Sequence, residues 1–196
     1  MDYNIINIEV DNLHKDRHFC VELNKPIVRH IDSKDSPTSE EQHVYITHQN
    51  KEVIAGVSKD LQKSGNSNII YRSNSFLNNP SIDFIEESEV FLLYDNAGHN
   101  YMHFFHDMFA RCYYYEKLLE TKPNLKLGIL EDYYKEEGRS NFIKQWLDFY
   151  LKDKNVELVI FKKEKNYQVS TLILSNLFYW FPEQHGIEPV LKFIKK

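Results

Sequence analysis

The chain lacks most of the features that would staple it, anchor it or dedicate it to a polyanion. It has two cysteines in 196 residues, Cys20 and Cys112. That rules out a disulfide-framework scaffold and fits a reduced compartment. There is no excess of positive charge: the formal net charge is −5, so nucleic-acid binding is not its main task. No apolar run approaches the length of a membrane span. The opening MDYNIINIEVDN is acidic and polar, not a signal peptide, and the expected location is cytoplasmic. The one Asn-x-Ser/Thr pattern, at Asn79, is blocked by Pro80. What remains is ordinary globular material, with 42% hydrophobic and 27% charged residues. A chain of this length can bury roughly 70% of its unfolded surface in one core.

The order of the patterns points to a mixed α/β fold. Residues 1–84 read as a β-rich N-terminal extension of the same domain. It has short β-branched and aromatic runs at 4–10, 19–23, 26–31 and 43–48, separated by polar loops at 32–42 and 58–68. From 85 to 196 the texture changes. EVFLLYD (89–95) is a continuous apolar run of the kind that forms a strand buried on both faces. A helical pattern follows from about Asn100 to Glu120, then a strand at 125–130, a helix at 138–152, and strands at 156–161 and 169–175. This alternation predicts a Rossmann-like parallel sheet with crossover helices, packed against the N-terminal extension. The last residues, GIEPVLKFIKK, read as a short basic helix.

A parallel sheet presents its ligand crevice at the carboxyl ends of its strands. Asp95-Asn96, Glu131-Asp132, Phe161-Lys162 and Ser175-Asn176 are expected there, with acid, base or ligand-contact roles for the carboxylates and turn formation as the structural alternative. Directly after the first strand comes HNYMHFFHDMFAR, with three of the chain's nine histidines within eight positions. On a helix, His103, Asp107 and Arg111 share a face, as do His99, His103 and His106. Three readings follow: a half-exposed polar helix face, a metal site built on the histidine pair, or a substrate site in which Asp107 orients His103 and pairs with Arg111. Glu86, Glu87 and Glu89 read as a solvated acidic face before the first strand. Tyr113, Tyr114, Tyr115, Tyr133 and Tyr134 read as sugar-stacking surfaces or core, and Cys112 as an inert core thiol.

The pattern N-x-x-H-F-x-x-D-x-x-x-R, formed by Asn100, His103, Phe104, Asp107 and Arg111, resembles the N-terminal signature of glycosyltransferase family 61. The fuller string NYMHFFHDMFARCYYYEKL is similar to the family's eukaryotic O-linked N-acetylglucosaminyltransferase branch. The strand LKLGILED and the later stretch NLFYWFPEQHGIEP match in order, so the likeness spans roughly residues 85–190. It implies half of a two-lobed GT-B arrangement: the acceptor-side lobe of an inverting, metal-independent transferase with a nucleotide-sugar as co-substrate and no further cofactor. The partners implied are a glycan or glycoprotein acceptor and a donor carried by a second lobe. The family's later histidine-glycine motif is absent, since His185-Gly186 runs into Ile-Glu-Pro. A non-catalytic carbohydrate-binding or assembly domain is therefore the alternative, with a metal-dependent hydrolase behind it. With this resemblance and the strand-end positions taken together, catalytic roles are expected for His103, Asp107 and Glu131. Substrate contacts are expected for Asn96, His99, Asn100, His106, Arg111, Asp132 and Trp180, and no metal ligands. Phe178, Tyr179, Trp180 and Phe181, four aromatics in a row, are expected to form a partly exposed face covered by a partner chain or a second copy.

Overall fold

A computed structural model of the chain describes residues 3–8, 19–30, 44–49, 51–53, 71–73, 84–94, 104–138 and 141–175. It is a mixed α/β protein. Ten strands form one sheet: β1 (Tyr3–Asn7), β2 (Phe19–Asn24), β3 (Ile27–His30), β4 (Val44–His48), β5 (Lys51–Val53), β6 (Tyr71–Ser73), β7 (Phe84–Leu92), β8 (Lys126–Leu130), β9 (Leu158–Phe161) and β10 (Asn166–Ser175). Two α-helices are described, α1 (Cys112–Leu119) and α2 (Asn141–Leu151). The loops expected at 32–42 and 58–68, the C-terminal helix and the aromatic run Phe178–Phe181 lie outside the described residues. No helix among the described residues is long and apolar enough to cross a membrane.

The parallel part is legible in the chain order. β7, α1, β8, α2 and β9 follow one another, and β9, β8, β7 and β10 lie side by side in parallel. The apolar run 90–94 is buried throughout, as a strand covered on both faces requires. Gly128 is needed where β8 passes its neighbours. A Cβ there would lie 2.6 Å from Val90 Cγ1 and 2.7 Å from the Phe161 ring. α1 packs Tyr115 against Phe91 of β7, with ring centroids 5.6 Å apart, and the Tyr115 hydroxyl donates to the Leu125 carbonyl at 2.6 Å. Tyr114, Tyr115 and Tyr133 are buried core residues and Tyr113 and Tyr134 are half-buried, so the first three offer no stacking surface.

The sheet departs from the sequence expectation in three ways. First, the N-terminal strands join edge to edge rather than stacking on a face. β2 and β3 pair antiparallel with β10 in one unbroken register, from Cys20↔Ser175 through Asn24↔Thr171 to Ile27↔Gln168 and Arg29↔Asn166. They are in effect one strand bent at Lys25 (φ 49) and Pro26, with pairing kept through the bend by Lys25 N–H to Ser170 O and Val169 N–H to Pro26 O. Past the bend the sheet forks: β1 continues on β2, while β4, β5 and β6 continue on β3. Second, β7 starts at Phe84, so Glu86, Glu87 and Glu89 lie within the strand and not before it. Third, β9 reaches β10 through residues 162–165 alone, without a crossover helix. β9 and β10 are separated by β8 and β7 in hydrogen-bonding order. Four linking residues cannot cross that distance in a flat sheet. The sheet must curl until the end of β9 meets the end of β3, where His30 and Lys163 form a bridge.

The segment before α1 is not one regular helix. It begins as a π-helical turn, Phe104–Met108, tightens into a 3-10 turn, Phe109–Arg111, and then becomes α1. Consecutive rings Phe104 and Phe105 both meet α2, at Phe142 (5.4 Å) and Trp146 (5.2 Å), and Phe109 meets Tyr150 (5.7 Å). A regular α-helix would point two consecutive rings about 100° apart, whereas a widened turn lets both face the same neighbour. The four-residue spacing expected to align Asp107 with Arg111 therefore does not run through a continuous α-helix, and His103 lies outside the described residues.

Candidate functional site

One cluster of polar groups gathers where the curled sheet closes, at the carboxyl ends of β8 and β9. β8 ends in a 3-10 turn, Glu131–Tyr133. This turns the backbone out of the sheet and leaves the Glu131 and Asp132 carboxylates half-buried at the strand end. Behind them lies His30, the last residue of β3, with no solvent exposure. Its Nδ1 lies 2.8 Å from the Phe161 carbonyl and its Nε2 lies 3.2 Å from Asp132 Oδ2. Each ring nitrogen thus faces an oxygen.

Lys163, in the turn after β9, completes the cluster. Its ammonium lies 3.0 Å from Asp132 Oδ2, and its backbone N–H donates to Glu131 Oε2 at 3.0 Å. The exposed Lys135 ammonium holds Asp132 Oδ1. The turn is fixed in its own right: Glu164 takes a left-handed conformation (φ 56), its N–H donates to the His30 carbonyl at 2.9 Å, and its carboxylate pairs with Arg29 at 2.9 Å. Burial pushes the Asp132 carboxyl up. Hydrogen bonds from His30, Lys135 and Lys163, with the Lys163 charge, outweigh burial and hold it well below the usual carboxylate range. Asp132 is therefore an ionised acceptor and a poor proton carrier near neutral pH. Glu131 has one oxygen fixed by a backbone donor, and its other oxygen has no partner among the described residues.

Of the other expected residues only Arg111 has a described side chain, and it falls elsewhere, 3% exposed. Its charge is felt at Tyr114 and at Cys20, the residue paired with Ser175 at the carboxyl end of β10, where burial pushes both the thiol and the phenol up. The contacts of Glu131 and Asp132 do not include it. The Ser175 hydroxyl is buried without a hydrogen-bond partner among the described residues. Cys112 is a buried free thiol pushed up by burial, as expected of a core residue. Asn96, His99, Asn100, His103 and Trp180 lie outside the described residues, and His106 and Asp107 are described by their backbone alone. No group of three histidine, cysteine, aspartate or glutamate side chains among the described residues is gathered to hold a metal ion.

Sequence reasoning singled out Glu131 and Asp132 but missed His30 and Lys163. A signal for His30 was present: in β3 it shares the inward parity of Val28, a position a strand reserves for apolar side chains. Lys163 carried none, because its role depends on the curl. Comparison of the chain with protein-family models, with curated proteins and with solved structures finds no match.

Proposed function

We propose that the chain is a glycosyltransferase lobe of the family 61 type, the acceptor-side half of an inverting, nucleotide-sugar-dependent sugar transferase. The observation that carries this reading is the gathering of anchored carboxylates, Glu131 and Asp132, at the carboxyl end of a parallel strand, where open α/β sheets bind ligands. The order β9-β8-β7-β10 supports it, since it matches the 3-2-1-4 start of the Rossmann strand order 3-2-1-4-5-6. The short link into β10 is this chain's own variation on that plan.

Inverting transfer needs a base for the acceptor hydroxyl and stabilisation of the departing diphosphate. Glu131 suits the first task better than Asp132, because one of its oxygens is fixed and the other is open, while Asp132 is held firmly as an anion. The test is turnover of a panel of uridine and guanosine diphosphate sugars with saccharide acceptors. Robust turnover by this chain alone would refute the half-enzyme reading; supplied with a donor-binding lobe the chain should support transfer, insensitive to EDTA, that Glu131→Gln lowers by about 10²-fold or more. Saccharide binding with no transfer even then would leave a carbohydrate-binding domain as the reading for the same carboxylates.

A further inference from the structure

We infer that β1 is a self-association edge: two copies of the chain pair antiparallel through Tyr3–Asn7, about a two-fold axis at Ile5. Among the described strands β1 pairs only with β2, so its outer side is an edge of the sheet. Hydrogen bonds in an antiparallel ladder join every second residue pair. Lys25 N–H donates to Ser170 O, so Val21 and Leu23 also turn their backbone groups to β10, while Cys20 and Glu22 turn theirs to β1. Asn4 and Ile6 meet those two residues. Tyr3, Ile5 and Asn7 therefore present N–H and C=O outward, with no backbone partner among the described residues. With Ile5 at the centre, this set is self-complementary. Ile5 meets the partner's Ile5 and Tyr3 meets the partner's Asn7, so each outward donor faces an outward acceptor. The side chains favour a second copy as well. β1 carries no charged residue, so pairing with itself opposes no like charges. Ile5 shares a face with Val21, its buried cross-strand partner, yet is itself 42% exposed. It ends an apolar row that the partner's Ile5 would extend and cover. The other edges are blunted. β6 is three residues long. On β9 the Tyr167 hydroxyl accepts from Lys162 N–H and donates to the Ile160 carbonyl. The first half of β7, which β8 joins only at Val90, carries Glu86, Glu87 and Glu89, so a second copy there would set carboxylate against carboxylate.

A five-residue strand pair buries less than the roughly 1,600 Å² of a standard interface, so the association is weak and concentration-dependent. The experiment is sedimentation velocity of the full chain from tens of micromolar to about one millimolar, with circular dichroism on every variant. The wild type should move from monomer toward dimer across that range. Ile5→Pro removes one outward N–H and no bond of the β1–β2 ladder. Ile5→Lys sets two ammonium groups opposite each other at the axis. Both should keep the wild-type dichroism and raise the dimer dissociation constant about tenfold or more. Glu86→Gln, at the charged edge of β7, should leave it within about twofold. Cysteine reads the register. Directly opposed residues of a hydrogen-bonded antiparallel pair have Cα atoms about 5.5 Å apart, within disulfide reach. Ile5→Cys should therefore give a reducible dimer under mild oxidation. Asn4→Cys, which faces the partner's Ile6, should cross-link at least about fivefold more slowly. Cys20 and Cys112 are buried and add little background. A wild type that stays monomeric throughout would overturn the proposal. A dimer that survives both Ile5→Pro and Ile5→Lys would do so too, as would equal cross-linking of the two cysteine variants. If the proline and lysine variants fail to fold, the cysteine pair decides: no cross-linked Ile5→Cys dimer refutes the edge. None of these readouts involves sugar binding or transfer, so the outcome is independent of the function proposed above.

Discussion

The two ends of β8 and β9 carry the same residue types and use them differently. At their amino ends, beside the middle of β7, Lys122 lies 2.9 Å from Glu22 and 3.4 Å from Glu89, and Lys126 lies 3.3 Å from Glu87 and also pairs with Glu157. These are lateral pairs between partly exposed side chains, with solvent as a competing partner, and such pairs contribute little. At the carboxyl ends, Asp132 takes one of its bonds from an imidazole with no exposure at all. That bond cannot be exchanged for water without opening the fold. Lysines and carboxylates together are thus uninformative; what distinguishes the two ends is whether a buried polar group stands behind the carboxylate.

The comparison can be broken most severely between the two ends. Gly128→Ala forces a methyl group into Val90 and the Phe161 ring and displaces the strand that links both clusters. It should cost about 3 kcal/mol, measured by urea denaturation, because overpacking here meets core atoms with no free path. Next in size is Asp132→Ala, which leaves His30 Nε2 buried without its acceptor. A loss of about 2 kcal/mol is expected, against less than about 1 kcal/mol for Glu22→Ala at the opposite end.

Acid sharpens the contrast. Asp132 and Glu22 are both held below their ordinary values, in each case against burial. Asp132 is held down by its His30, Lys135 and Lys163 bonds, and Glu22 by Lys122 and Asn4. A carboxyl whose folded value lies below its unfolded one contributes its full stability above the unfolded value, about pH 4, and loses it as pH falls further. Stability measured from pH 6 to pH 2 should therefore decline below about pH 4. Asp132→Asn should flatten that decline more than Glu22→Gln does; equal slopes would show that the two ends are alike after all. The smallest effects belong to Lys122→Ala and Lys126→Ala. Each should cost under about 1 kcal/mol, and 0.5 M salt should erase most of the difference from wild type.

Much of the parallel layer was legible because burial on both faces writes a continuous apolar run, as in 90–94, and because α2 repeats its apolar residues at helical spacing. Half of the site was legible for a related reason: Glu131 and Asp132 interrupt an apolar strand where it ends. The curl was not. It arises from pairing between Phe19–His30 and β10 and from a four-residue link, neither of which has a local signature. His30 and Asp132 are 102 positions apart, so no window of sequence contains both. The π turn was hidden as well, since FFHDM fits helical spacing until the rings of α2 dictate which way two consecutive phenylalanines must face.

The bent strand Phe19–His30 has a consequence in time. One of its edges is completed only by β10, and the contact between Arg29 and Glu164 spans 135 positions. During synthesis at about 5–20 residues per second, that edge waits on the order of ten seconds for its partner to emerge. Until then the strand offers unpaired backbone donors and acceptors along half its perimeter, beside apolar side chains such as Val21, Leu23 and Val28. Contacts of this range also slow folding once the chain is free. The hazard to this protein is thus concentrated in its youth: a nascent chain must shield an early strand until the last described one arrives to cover it.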